Sequence, residues 1–122
     1  DLLADVIGEL RGQVAHAEEA GVSRAQMIVD PGIGFGKTVE QNLRLINRAD
    51  ELRALGLPIL LGPSRKSFIG YTLDLPPDQR VEGTAAAAAV GIVRGGVDIL
   101  RVHDVQAIVR VARMTDAIVA SD

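Results

Sequence analysis

The chain has 122 residues, 48% of them hydrophobic and 24% charged, which suits one folded domain without an evident linker. A net charge of −3 with scattered positive residues leaves no basic footprint for nucleic acid, and no basic amphipathic face points to a membrane surface. There is no cysteine, so disulfides and thiolate catalysis are excluded, and the composition fits a cytoplasmic protein.

Aromatic residues make up only 2%, so the core must be built from Ala, Val, Leu and Ile. No signal peptide or transmembrane-length apolar run is evident. The chain opens directly in helical pattern without an initiating Met, and further chain upstream is expected.

In chain order, Leu2, Leu3, Val6, Ile7, Leu10, Val14 and Ala17 recur three or four apart and predict an amphipathic helix over 2–20, stopped by Gly21. Residues 27–30, MIVD, read as a short buried strand. The turn DPGIGFGKT follows, and Val39, Leu43, Ile46, Ala49, Leu52 and Leu55 mark a second helix that closes at Gly56. Pro58 introduces a strand at 59–61, followed by the polar turn GPSRKS. Pro76 and Pro77 would break a helix, so 68–81 reads as an excursion. The alanine-rich 82–96 is a third helix, a smooth packing surface without functional content. A strand at 98–102 and a helix over 104–119 complete the pattern.

This α-βα-βα-βα order, with short and wholly apolar strands, predicts an α/β fold with a parallel sheet covered by helices. A doubly wound sheet and a (β/α)8 barrel both fit. In either, ligands gather at the C-terminal strand ends. The αβ connections GVSRAQ, GLP and GGV are bland. The βα connections DPGIGFGKT, GPSRKSFIG and RVHDV hold most residues suited to chemistry, including His103, whereas His16 lies mid-helix.

In DPGIGFGKT, Gly32, Gly34 and Gly36 allow unusual backbone angles and close ligand approach. A Walker A loop is excluded because only three residues separate Gly32 from Gly36, and the strict alternation of glycines fails the dinucleotide fingerprint. A tight turn alone would explain the glycines but not Asp30, an acid at a strand end able to accept from a ligand's N–H groups. Gly62 permits close approach at the next strand, where Ser64, Arg65, Lys66 and Ser67 supply donors for a carbonyl, carboxylate or phosphate. Arg101 and His103, two apart on an extended segment, can share a side and suit an anion. The structural alternative there is an N-cap at Asp104 paired to Arg101.

Taken together, DPGIGFGKT, LLGPSRKSFIG, and EGT leading to ILRVHDV resemble the C-terminal signature segments of the dihydropteroate synthases, in order and spacing, along essentially the whole chain. SRKSFIG and RVHDV separate it from methyltetrahydrofolate methyltransferases, which share the pterin-binding barrel. The resemblance implies the C-terminal part of a (β/α)8 TIM barrel, roughly three βα units where a whole barrel needs about 250 residues. On that reading residues 1–122 form part of one pterin-binding domain, incomplete alone. It implies condensation of 6-hydroxymethyl-7,8-dihydropterin pyrophosphate with p-aminobenzoate, giving dihydropteroate and pyrophosphate for folate biosynthesis.

By the same resemblance, Asp30 binds the pterin N–H groups, and Lys66 reaches the pterin carbonyl and ring nitrogen with Gly62 close by. Arg101 stacks on the ring and holds pyrophosphate with His103. Phe35 lines the p-aminobenzoate pocket and Ser67 helps bind its carboxylate, where sulfonamides compete. Mg²⁺ assists the leaving group through ligands absent from these residues, so no metal ligand is expected here. A homodimer through residues 82–119 is implied, the exposed faces and unpaired edges of an open three-stranded sheet separately favour self-association, and the 122 residues alone are expected to lack turnover. Two rival readings are a pterin-binding module without catalysis and a degenerate structural half-barrel. The first predicts pterin affinity indifferent to pyrophosphate, the second tolerance of Asp30→Asn.

Overall fold

The computed structural model describes residues 1–122. Helix α1, Leu2–Glu19, forms because its apolar stripe buries Leu3, Val6, Leu10 and Val14. It ends in a Schellman motif: the Gly21 N–H donates to the Glu18 carbonyl and the Val22 N–H to the Ala17 carbonyl, with Gly21 at φ +98°.

The segment expected as strand 27–30 is reduced to a single parallel bridge, Val29 with Ile59. Two hydrogen bonds hold it, from the Val29 N–H to the Pro58 carbonyl and from the Leu60 N–H to the Val29 carbonyl. The next helix is also shorter than expected. Helix α2 covers Val39–Asn47, and Ala49–Leu55 continues as a 3₁₀ helix. The buried residues of that second stretch, Ala49, Leu52 and Leu55, stand three apart, which is the period of a 3₁₀ turn. Gly56 at φ +68° closes it.

Strand β1 is Leu60–Leu61 and β2 is Ile99–Leu100, paired in parallel with Leu60 opposite Ile99 and Leu61 opposite Leu100. Both are shorter than their apolar runs. The expected excursion at 68–81 contains a regular element, helix α3 at Ser67–Leu73, which buries Phe68 and Ile69. Asp74 ends it at φ +55°, and a 3₁₀ turn follows at Pro77–Gln79. Seven residues are too few to show a periodic stripe.

Helix α4, Val81–Val93, buries Thr84, Ala87, Ala88 and Gly91. A Cβ on Gly91 would lie 3.1 Å from Leu61 Cδ1, so the small-residue face lets α4 lie close on β1. Helix α5, Val105–Val119, buries Ile108 and Thr115.

The extended segments therefore lie side by side in chain order, Val29 next to β1 and β1 next to β2. That sequential order lacks the reversal that marks the switch point of a doubly wound sheet. The core runs from α1 through Ile33 and the 3₁₀ stretch to Ile59, Leu61 and Phe68. At the N-terminal end of the strands, Asp98 receives both terminal nitrogens of Arg53, at 2.6 and 3.1 Å, and the Ile59 N–H at 2.9 Å. This clamp is structural and faces away from the βα loops. No helix is long and apolar enough to cross a membrane.

Candidate functional site

The three βα loops converge on one open hollow of about 420 Å³ lined by Asp30, Phe35, Gly62, Ser64, Lys66, Arg101, Val102 and His103. Six of the seven residues singled out from the sequence are among them: Asp30, Phe35, Gly62, Lys66, Arg101 and His103. Ser67 is not. It is exposed at the start of α3 and lines a neighbouring hollow with Gly70, Tyr71, Asp74 and Arg80.

The first loop is built by its own polar contacts. One Asp30 oxygen accepts the Gly32 N–H at 2.8 Å, which leaves the other oxygen for a ligand. Gly32, Gly34 and Gly36 stand at φ +77°, +88° and +61°, a region that disfavours side chains, so the alternation of glycines is a backbone requirement. Buried Asn42 on α2 accepts the Gly34 N–H at 2.8 Å and returns a bond to the Thr38 carbonyl at 3.0 Å. Thr38 and Gln41 form a capping box that starts α2. Lys37 is spent within the loop, on the carbonyls of Gly32 and Phe35 at 2.8 and 3.0 Å.

Lys66 crosses from the second loop to the first. Its Nζ donates to the Ile33 carbonyl and stands 4.7 Å from the centre of the Phe35 ring. Burial pushes the Lys66 ammonium below its ordinary range; Asp30 opposes that shift, and Arg101 and Lys37 reinforce it. A Cβ on Gly62 would lie 3.7 Å from Lys66 Nζ and 3.9 Å from the Arg101 Cβ, so Gly62 leaves the floor of the hollow low between the two cations. The Arg101 N–H donates to the Leu61 carbonyl at 3.0 Å, which fixes where its side chain leaves the sheet.

Several supporting residues were not legible as such. Ser64 is buried and its Oγ lies 2.7 Å from His103 Nδ1. Arg65 holds Asp104 with two bonds, at 2.7 and 3.1 Å, tying the second loop to the third. Asp104 precedes α5 but makes no side-chain cap, and its partner is Arg65 and not Arg101, which corrects the expected local pairing. The hydrogen bond from Arg65 holds the Asp104 carboxyl below the usual range. Arg65 stands at φ +56°, rare for a residue with a side chain. Thr84 Oγ1 accepts its N–H at 3.0 Å, and Arg80 donates to its carbonyl at 2.8 Å. Part of the alanine-rich helix, read as packing alone, thus braces the site. The partners lie 15, 19 and 39 residues apart, beyond any local pattern.

A family model of pterin-binding enzymes matches residues 1–103. The chain belongs to that family. It is similar to the dihydropteroate synthase of Clostridium beijerinckii, 49% identical over 119 residues that take in 98% of this chain and 44% of the relative. Among solved structures, a dihydropteroate synthase from Clostridium difficile, obtained in the presence of pteroic acid, is 47% identical with a TM-score of 0.93, over 97% of this chain and 44% of that one. The Yersinia pestis enzyme with a pterin–sulfa conjugate is 36% identical with a TM-score of 0.95, over 99% and 47%. The chain spans less than half the length of these relatives. As a member of the pterin-binding family it has the fold of part of a (β/α)8 barrel, with the hollow at the C-terminal strand ends.

Proposed function

We propose that these residues form the pterin and pyrophosphate end of a dihydropteroate synthase. The observation that carries this reading is the single hollow in which Asp30, Lys66, Arg101 and His103 meet from three separate strand ends. The reaction forms a bond from the amine nitrogen of p-aminobenzoate to the pterin methylene carbon. The methylene C–O bond breaks, pyrophosphate leaves with the electron pair, and the amine gives up a proton.

Departure of pyrophosphate leaves positive charge on the pterin side and negative charge on the leaving group. Asp30, with one oxygen free of the Gly32 turn, suits the pterin N–H groups and the developing cation. Lys66 donates to the pterin carbonyl and ring nitrogen after exchanging its bond to the Ile33 carbonyl for one to the ring. Arg101 covers the ring face and, with His103, takes the pyrophosphate oxygens. Phe35, 70% exposed and held near Lys66 by the cation, lines the p-aminobenzoate side. Ser67, next to Lys66 in the chain but lining the neighbouring hollow, is proposed to help bind the p-aminobenzoate carboxylate or a competing sulfonamide. No strong base is needed, because the arylamine is already a nucleophile.

Mg²⁺ favours several oxygen ligands, whereas this hollow offers Lys66, Arg101 and His103 against one carboxylate, Asp30, and Asp104 is occupied by Arg65. The donor set does not fit the metal. In this proposal Mg²⁺ would be held by residues outside these 122 and would help neutralise charge on the leaving group. A cytoplasmic setting is part of this proposal, supported by a composition without cysteine. A homodimer through α4 and α5 is proposed on the exposed apolar side chains Val90, Val93, Val109, Met114 and Ile118.

Calorimetry with 6-hydroxymethyl-7,8-dihydropterin pyrophosphate on a barrel of the relatives' full length carrying these residues tests the reading. Asp30→Asn should weaken binding by roughly 10- to 100-fold, the value of one charge-assisted hydrogen-bond set. Unchanged affinity would remove Asp30 from the pterin site.

A further inference from the structure

Ser64 Oγ makes two hydrogen bonds, both to one residue. It accepts the His103 backbone N–H at 3.0 Å and lies 2.7 Å from His103 Nδ1. Ser64 is 7% exposed, and its Oγ has no protein hydrogen-bond partner other than His103. If Nδ1 carried the ring proton, Oγ would accept twice and its own hydrogen would be stranded in a buried position. If Ser64 donates to Nδ1, every group is satisfied. A neutral His103 then carries its proton on Nε2, the ring nitrogen without a protein partner, on a residue that lines the hollow.

We infer that Ser64 is a positioning residue that fixes the tautomer and orientation of His103, presenting Nε2–H as a ready donor to a phosphate oxygen of the leaving group. The inference rests on the proposed reading of the hollow for the identity of that anion, but the tautomer follows from the Ser64 contacts alone. It also divides the labour between two adjacent residues of one loop. Ser64 sets the histidine on one side, while Arg65, bonded to Asp104, ties down the start of α5 on the other. The donor is thereby set before substrate arrives, so no bond need reorganise as charge develops.

The test is long-range ¹H–¹⁵N correlation of the histidine rings, in alkaline buffer, on the full-length barrel carrying this chain. The His103 signals are assigned by loss in a His103→Gln variant. The expected result is a proton on Nε2 and an Nδ1 signal shifted by accepting a hydrogen bond. Ser64→Ala should return that Nδ1 signal to its unbonded position with the backbone amide spectrum retained, and Ser64→Thr should restore it. A proton found on Nδ1 overturns the inference. Inorganic pyrophosphate should move the Nε2–H signal in the parent and the Thr variant; an unmoved signal overturns the assignment of the donor to an anion.

In turnover, Ser64→Ala should lower kcat on the order of 10-fold with KM for p-aminobenzoate unchanged, and Ser64→Thr should recover it. Equal kcat in all three overturns the catalytic consequence. Absence of dihydropteroate synthesis in the parent would instead sink the proposed function, and the ring spectra would still decide the tautomer.

Discussion

Thr84→Val removes one acceptor from the site while keeping the side chain's shape. Thr84 is fully buried, and its Oγ1 accepts the Arg65 N–H at 3.0 Å while donating to the Arg80 carbonyl at 3.1 Å. That carbonyl also accepts the Thr84 N–H at 2.9 Å, so it keeps a partner after the change. The loss therefore falls on the Arg65 N–H, part-buried and left without its protein acceptor, at a cost of about 1–3 kcal/mol. Arg65 already sits at φ +56°, a conformation costing about 1–2 kcal/mol, so the loop has a ready route to relax. Amide hydrogen exchange on the full-length barrel reads this directly. The Arg65 amide should exchange roughly 5- to 150-fold faster in Thr84→Val, with Lys66 following and α1 unaffected. Thr84→Ser, which keeps the bond and loses a methyl worth about 0.8 kcal/mol, should retain the parental rate at Arg65. Equal exchange in the Val and Ser variants would refute the brace.

Gly34→Ala places a Cβ 2.7 Å from Lys66 Cδ at φ +88°, so Lys66 must move off the Ile33 carbonyl. We expect about 1–2 kcal/mol of destabilisation in urea melts from the left-handed backbone in both Gly34→Ala and Gly36→Ala, but weaker pterin binding only in Gly34→Ala, since nothing surrounds Gly36. Equal pterin affinity in both variants would argue that Lys66 is not placed by this loop. At the opposite end of the strands, the hydrogen bond from Arg53 holds the Asp98 carboxyl low, against some burial and aided by the Ile59 N–H. A lowered folded-state value stabilises above the unfolded value, about 3.9, and the stabilisation is lost as pH falls through the folded one. Asp98→Asn should flatten that part of the acid limb and cost about 1 kcal/mol at neutral pH, a small value because the pair is two-fifths exposed. An acid limb identical to the parent's would contradict this.

The site was more legible than the strands. Residue type and position after a strand are local properties, and Asp30, Gly62, Lys66, Arg101 and His103 could be picked out because βα loops collect ligands in any parallel α/β fold. Strand length depends on partners that the local sequence does not contain. Met27–Asp30 pairs on one side only, through Val29, and so amounts to one bridge. Helix α2 ended early because Ala49, Leu52 and Leu55 satisfy both a helical stripe and a 3₁₀ repeat, and only the observed backbone separates them. The brace around Arg65 and the Ser64–His103 contact join segments up to 39 residues apart, and no periodicity encodes such pairs. Asp104 shows the same limit, with a capping pattern in sequence and a distant arginine in space.

The most direct test is product formation by a full-length barrel carrying these 122 residues, with pyrophosphate and dihydropteroate measured together. Equal amounts of the two are expected, with strict dependence on p-aminobenzoate, competition by a sulfonamide, and a loss of at least about 100-fold in Arg101→Ala. Pyrophosphate release without p-aminobenzoate, or turnover indifferent to Arg101, would contradict it.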